Sequence, residues 1–331
     1  MTMASGVGSM PGDDQAAYDD AVRLVLDQLP DLPHLPEVPG RGAIANMTGR
    51  ALAVMADLGA DLQPAGWRLT DAPGVDHRRA RSLLGQDLDT LEDLTDGYTG
   101  AFKIQVAGPW TLAATVEKPR GDKVLSDFGA RRELAQALAE GLRVHVADVR
   151  RRLPGVDRLV VQVDEPALAA VLGAKIPTAS GFGRHRMVHP PEASEALAWV
   201  LDAIAEAGAE PWVHTCAAGT PLPLLRTSGA RGISVDLGLM TAADHDALAE
   251  ALEAGETVAL GVVPTLDPTT APTDTEITER VLRWLDMLGL DPTEVGDRLV
   301  LTPTCGLAGA SPEWAKASLG LLTKAAGHLS G

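Results

Sequence analysis

The feature that most constrains the fold is a regular alternation of short apolar, β-branched runs with longer helical patterns along the whole chain. We predict eight strands, near residues 4–8, 67–70, 102–106, 159–163, 212–215, 233–236, 258–263 and 299–302. Runs such as LVVQV and VALGVV are apolar throughout, as expected of parallel strands buried on both faces. Eight such strands joined by helical crossovers predict an α/β fold, a single (β/α)8 TIM barrel.

The segments between the predicted strands have helical periodicity. The predicted helices span residues 14–29, 50–58, 130–153, 194–207, 243–254, 275–288 and 312–329. The proline-rich segment 30–42 is the least regular part of the chain, and we interpret it as a loop near the barrel mouth. Because no shift in composition marks a linker, we expect residues 1–331 to form a single domain.

The composition excludes several classes of partner. A net charge of −17 argues against nucleic acid and against an anionic membrane surface, since both require basic protein surfaces. The sequence has neither an apolar run long enough to span a bilayer nor the basic and apolar regions of a signal peptide. We therefore expect a cytoplasmic protein, in which its two cysteines are not a disulfide framework.

Residues with useful chemistry follow the predicted strands. In barrels of this kind the active site lies at the carboxyl ends of the strands. The residues found at such ends are Ser9, Asp164, His214, Cys216, Asp236 and Cys305. The predicted strands and the candidate site residues therefore support each other.

His214 and Cys216 lie two positions apart at the end of a predicted strand, so both side chains face the same way. Cys305 follows the last strand, and a closed barrel can bring it to the same mouth. One imidazole and two thiolates suit Zn²⁺, with Asp236 or the substrate completing the set. The alternatives are that the cysteines are small buried apolar residues, or that they form a redox pair.

These residues lie within a longer pattern. The chain resembles the C-terminal catalytic barrel of cobalamin-independent methionine synthase, in the superfamily that includes uroporphyrinogen decarboxylase. The matching segments are GVGSMPG at 6–12, QVAGPWTLA at 105–113, VQVDEPAL at 161–168, VHTC at 213–216, ISVD at 233–236 and TPTCGL at 302–307.

The resemblance implies a set of site residues. Zinc would be held by His214, Cys216, Cys305 and Asp236. At the position of Asp236 the family ordinarily has glutamate. Homocysteine would be bound by Ser9, near a backbone nest suited to a carboxylate, and by Asp164, which would pair with its ammonium group. For Ser9 the alternative is a simple turn, and for Asp164 it is a helix N-cap. Glu37 is the candidate for a further acidic residue at the amino group, although LPEVPGRG departs from the family pattern.

The resemblance also implies a reaction. Homocysteine would be activated as a zinc-bound thiolate, with Asp164 and Cys216 as catalytic residues, and methylated to methionine. Segment 261–268 lacks the histidine that many family members use in acid–base work. Short members of the family are thought to use methylcobalamin or a corrinoid protein, so a methylcorrinoid is a candidate donor beside 5-methyltetrahydrofolate.

Two basic segments and one tryptophan are candidates for binding the donor. Arg184 and Arg186, in a basic segment that includes His185 and His189, could receive an anionic donor, as could a second basic cluster of Lys118, Arg120 and Lys123. Trp110 could stack on a flat donor ring, the alternative being a packing role. Two other functions remain open: another zinc-thiol alkyltransferase of this superfamily, and a non-catalytic zinc- or corrinoid-binding barrel.

Overall fold

The computed structural model describes residues 1–330, which form an α/β barrel. The strands of the described residues are β1 (Met3–Ala4), β2 (Gly59–Gln63), β3 (Gly66–Thr70), β4 (Gly100–Ala107), β5 (Val156–Asp164), β6 (Glu210–Thr215), β7 (Gly232–Asp236), β8 (Thr257–Val263) and β9 (Leu299–Pro303). Seven of them pair in parallel in the order β1-β9-β8-β7-β6-β5-β4, whereas β2 and β3 form a separate antiparallel hairpin. The predicted fold class is confirmed.

The remaining gap, between β1 and β4, is closed by the segment 33–37. On one side the Leu35 N–H donates to the Lys103 carbonyl at 2.8 Å, and on the other the Glu37 N–H donates to the Gly8 carbonyl at 3.1 Å. Segment 33–37 makes only isolated bridges and no regular strand, so the predicted loop at 30–42 is present, but this part of the loop completes the barrel wall. The sequence does not indicate that segment 33–37 pairs with strands, because its prolines lack an N–H and proline is rare inside sheets. The strand predicted at 67–70 exists as β3, but it lies outside the barrel.

Helices connect the strands. The α-helices of the described residues are α1 (Gln15–Gln28), α2 (Met47–Val54), α3 (Val75–Leu94), α4 (Pro109–Thr115), α5 (Phe128–Arg152), α6 (Leu168–Leu172), α7 (Pro190–Glu206), α8 (Leu222–Thr227), α9 (Ala242–Glu253), α10 (Asp274–Leu288), α11 (Pro292–Val295) and α12 (Pro312–Leu329). All seven predicted helices are present, within a few residues at their ends. The 20-residue helix α3 was not predicted.

Side chains that follow one another by two positions fill the barrel interior in layers. An apolar layer is formed by five buried residues from different parts of the barrel wall: Leu32, Val160, Trp212, Ala259 and Val300. Two positions further along β5 and β6 come Gln162 and His214, both buried. The barrel interior is thus apolar nearer the amino ends of the strands and polar toward their carboxyl ends. No helix within residues 1–330 has both the length and the apolar character needed to cross a membrane.

Candidate metal and substrate site

The structure brings His214, Cys216 and Cys305 together at the carboxyl ends of the strands. One ligand atom from each lies within 4.8 Å of the others. The two Sγ atoms are 2.7 Å apart, and Sγ of Cys305 is 3.8 Å from Nε2 of His214. Both cysteines are free and half-buried. One imidazole nitrogen and two sulfurs form the donor set that zinc prefers, so the residues fit this ion.

The contact between the two thiols shifts their pKa values in opposite directions. The hydrogen bond from Cys216, aided by His214, lowers the pKa of Cys305 to about 4. The same contact, together with burial, raises the pKa of Cys216. The pair therefore favours a single negative charge, because two adjacent thiolates repel each other. A cation between the sulfurs would stabilise both as thiolates.

Asp236, the predicted fourth ligand, is not part of this cluster among residues 1–330. Its Oδ1 accepts a hydrogen bond from the Gly238 N–H at 2.8 Å, which caps the short 3-10 helix Leu237–Leu239. The strand register does bring Asp236 to the barrel mouth, beside Gly261. Its carboxylate is used for a turn, and the structure provides a three-residue donor set.

The cluster lines a cavity of about 400 Å³. The other polar side chains that line it are those of Ser9, Glu37, Asn46, Thr48, Gln105 and Asp164. Ser9 lies against the cysteine loop, since the Leu307 N–H donates to its carbonyl at 2.8 Å. A Cβ on Gly306 would be 2.0 Å from Oγ of Ser9, so the Ser9 hydroxyl keeps its present position only beside a glycine. The two residues expected to bind homocysteine, Ser9 and Asp164, therefore line the same cavity as the thiols.

Asp164 ends β5, and its side chain faces this cavity. Its Oδ1 accepts a hydrogen bond from Nε2 of Gln162 at 2.8 Å. Burial raises the pKa of Asp164 to about 7, with His214 opposing the shift and Glu37 adding to it. The alternative role as a helix N-cap is excluded, because the N-cap of α6 is Ala167.

Glu37 lies at the end of segment 33–37, and its side chain lines the cavity. It is 5% exposed, accepts from Nε2 of Gln105 at 3.0 Å, and lies 3.4 Å from Nε of Arg50. Arg50 also pairs with Asp87, which is fully buried on α3 and binds Arg41 as well. A buried chain of alternating charges thus connects α3 to the cavity.

Glu165, beside Asp164 in the DEPAL segment, has a structural position that sequence reasoning missed. Its carboxylate accepts from the backbone N–H groups of Trp110 and Thr111 at 2.9 and 2.8 Å, and from the Thr111 hydroxyl at 2.8 Å. Burial raises the pKa of Glu165 to about 7. The residue links the end of β5 to the start of α4, so the DEP and GPW segments are in direct contact.

The structure contradicts the predicted stacking role of Trp110. The side chain is 1% exposed, and its Nε1 donates to the Ala193 carbonyl at 2.9 Å. Its position on α4, packed beneath α7, makes it a core residue. The packing alternative is correct.

Arg184 and Arg186 are exposed on the segment between α6 and α7, outside the cavity lining. The two basic segments meet, because Asp122 accepts from the Ala179 N–H at 3.3 Å and lies 3.1 Å from Nε2 of His185. Both segments follow barrel strands and precede the descending helices α5 and α7. They therefore lie on the mouth side of the barrel.

A larger depression, of about 920 Å³, opens at the amino ends of the strands. Two of the charged side chains in its wall are held in ion pairs of 2.8 Å, Arg158 with Glu210 and Glu256 with Arg226. Residues at this end of a barrel ordinarily contribute to stability rather than to catalysis. We therefore place the candidate site at the opposite end.

Comparison with known proteins decides the family. The sequence model of the cobalamin-independent synthase catalytic domain matches residues 104–328, more than half of the chain. The chain belongs to this family. It is thus a methionine-synthase-like enzyme, as the resemblance implied, and its general class is that of a methyltransferase.

Two solved structures illustrate what the chain is similar to, and the first of them shares its fold. A B12-independent methionine synthase from Shewanella sp. W3-18-1, in complex with selenomethionine, is similar with a TM-score of 0.64 and 17% identity, covering 99% of this chain and 98% of that one. A β-mannanase from the blue mussel Mytilus edulis has a TM-score of 0.49 and 10% identity, covering 97% and 92%. No match was found among curated proteins.

Proposed function

We propose that this chain is, as a single catalytic domain, a zinc-dependent methyltransferase that converts homocysteine to methionine. The observation that carries the proposal is the shared cavity: the donor set of His214, Cys216 and Cys305 lies beside the carboxyl groups of Glu37 and Asp164. A thiol-binding metal site and an ammonium-binding site in one cavity suit an amino acid that ends in a thiol.

His214, Cys216 and Cys305 would hold the zinc ion. Zinc, when bound, lowers the pKa of a thiol ligand and so makes it a nucleophile near neutral pH. A zinc ion held by these three residues would accept a further ligand, either the substrate sulfur or Asp236 if its carboxylate rotates away from Gly238. His214 is held in place by Ser234, so the chain itself orients the imidazole.

The remaining cavity residues would bind the amino acid part of the substrate. Ser9 and the backbone around it would take the carboxylate, and Asp164 with Glu37 would take the ammonium group. Holding both ends aligns the sulfur with the donor, and such positioning contributes much of the rate. The two acidic groups also favour homocysteine over thiols with an anionic tail, such as coenzyme M. Thiols of that kind would be the substrates of another zinc-thiol alkyltransferase.

The methyl donor would approach from the mouth. Arg184 and Arg186 would bind an anionic part of it, either the phosphate of a methylcorrinoid or the glutamate tail of a methylfolate. Reversing both charges should then raise the KM for the donor and leave the KM for homocysteine unchanged. An equal change in both constants would contradict this role.

The proposal is tested by measuring zinc content and methyl transfer together. The purified protein should bind one zinc ion and form methionine from homocysteine with methylcobalamin or 5-methyltetrahydrofolate. Cys305→Ser should lose both zinc and turnover, and so should the wild type after chelation, with recovery when zinc is restored. Turnover in verified metal-free protein would overturn the proposal, and zinc binding without any methyl transfer would favour a non-catalytic zinc- or corrinoid-binding barrel.

A further inference from the structure

Lys103, on β4, is a buried lysine that forms no ion pair within residues 1–330. Its side chain is only 1% exposed, and its Nζ donates to two neutral acceptors, the Val7 carbonyl and Oε1 of Gln162, each at 3.0 Å. Burial lowers the pKa of Lys103, but only to about 8, so the group is charged at pH 7. A buried charge without a counter-charge in contact is unfavourable, and a methionine would fill the same space without that cost.

Gln162 connects Lys103 to the cavity. Its Oε1 accepts from Nζ of Lys103, and its Nε2 donates to Oδ1 of Asp164 at 2.8 Å and to the Val7 carbonyl at 2.9 Å. An ammonium group can only donate, whereas a carboxylate and a carbonyl can only accept, so these contacts all require the same orientation of the amide. Asp164 lines the cavity, but neither Lys103 nor Gln162 does. Lys103 can therefore act on a ligand only through other residues.

Lys103 is the one donor to Oε1 of Gln162 among the residues that the structure describes. Without it this buried oxygen would be unpaired, and the amide would gain by moving toward another donor. Asp164 would then lose the N–H group that holds its carboxylate. The positive charge of Lys103 also offsets the repulsion between the carboxylates of Asp164 and Glu37, since it interacts with both through space.

We infer that Lys103 is a positioning residue of the methyl-transfer site: its buried ammonium group holds the amide of Gln162, which in turn holds the carboxylate of Asp164 toward the cavity. This inference rests on the proposed function and adds to it a residue that does not contact the substrate. It also accounts for a charge that is unfavourable for folding, because sequences depart from the rules of stable packing chiefly at functional sites.

Lys103→Met tests this role, because methionine is unbranched, apolar and adaptable. At pH 7 the urea midpoint of the variant should be at least that of the wild type, since a charge is no longer buried. Calorimetry of the zinc-loaded proteins should show homocysteine binding weakened roughly 10-fold or more. Binding of 4-mercaptobutanoate, which lacks the amino group, should change by less than about 2-fold. An unchanged homocysteine Kd, equal losses for the two ligands, or a clearly lower midpoint would overturn the inference.

Gln162→Met removes the intermediate residue and leaves Lys103 in place. It should weaken homocysteine binding to a similar extent as Lys103→Met. Combining the two substitutions should cost less than about 2-fold beyond either one, because Lys103 acts through Gln162 and the two effects are not independent. Fully additive losses in the double variant would contradict this route.

A third measurement needs no variant. In a crystal structure of the zinc-loaded wild type with homocysteine, Nε2 of Gln162 should remain within about 3.2 Å of the Asp164 carboxylate. A carboxylate that had turned away from Gln162 to reach the ligand would overturn the role of Lys103. If homocysteine did not bind the zinc-loaded wild type at all, the proposed function itself would fail, so the two failures are distinguishable.

Discussion

The hydroxyl of Ser234 lies 2.9 Å from Nδ1 of His214. This contact directs Nε2 of the imidazole toward Sγ of Cys305, 3.8 Å away. Ser234 and His214 are register partners on β7 and β6, so strand pairing in the barrel wall sets the orientation of the ring. A hydrogen bond to the second ring nitrogen is the usual way in which proteins fix a metal-binding histidine.

Ser234→Ala should weaken zinc binding by roughly 10- to 100-fold, because the imidazole loses the contact that holds its orientation. Competition with a chromogenic chelator measures the affinity. Ser318→Ala is the matched control, since this buried hydroxyl bonds only the Ala315 carbonyl of its own helix α12. An unchanged affinity in Ser234→Ala would show that packing alone orients His214.

Asp87→Asn should destabilise the protein by roughly 3–5 kcal/mol, because it leaves the buried guanidinium groups of Arg41 and Arg50 without their common counter-charge. Urea denaturation measures the loss. The exposed pair of Glu279 and Arg283 provides the contrast, and Glu279→Gln should cost only about 0–1 kcal/mol. Similar losses in the two variants would mean that burial does not govern the strength of these pairs.

Gly108→Ala should lower the free energy of unfolding by about 1–3 kcal/mol through overpacking. The added Cβ would lie 2.4 Å from Oε1 of Glu165, which cannot move without losing its bonds to Trp110 and Thr111. In Gly85→Ala, on α3, the new Cβ meets no atom within 4 Å. This control should instead stabilise the helix by about 0.5–1 kcal/mol, and the opposite order in denaturant midpoints would refute the steric account.

Lys103 should affect stability in a pH-dependent way. Burial lowers its pKa from 10.5 to about 8, although Asp164 and Glu37 oppose the shift. Between these pH values the folded protein binds fewer protons than the unfolded chain, so the contribution of Lys103 to stability increases as the pH rises. The unfolding free energy of the wild type relative to Lys103→Met should rise by on the order of 3 kcal/mol across this window. A difference that stays constant from pH 8 to 10.5 in urea titrations would contradict the shift.

The parts of the site that the sequence predicts are those set by local periodicity. His214 and Cys216 are two residues apart on a strand, and this spacing is enough to place both side chains on one face. Cys305 could be added because the strands of a closed barrel end at a common mouth. The structure brings these three residues together, as expected.

Other parts could not be predicted because non-local contacts determine them. The sequence of segment 33–37 does not resemble that of a strand. Its backbone forms hydrogen bonds with β4 and with the residues that follow β1. Helix α3 is rich in charged residues, and one of them, Asp87, is buried only because Arg41 and Arg50 reach it from other segments. Hydrophobicity patterns do not show that a buried charge is neutralised by charges from distant segments.

The sequence by itself determined the alternation of strands and helices, the barrel, and the pairing of His214 with Cys216, since these depend on side-chain period and on short-range connectivity. Only the tertiary structure decided that segment 33–37 carries Glu37 to the cavity of Asp164 and that Trp110 is a core residue. It also decided that the carboxylate of Asp236 caps a turn. The reason is physical: the direction of a side chain at a strand end depends on which neighbours satisfy its hydrogen bonds, and those neighbours come from distant parts of the chain.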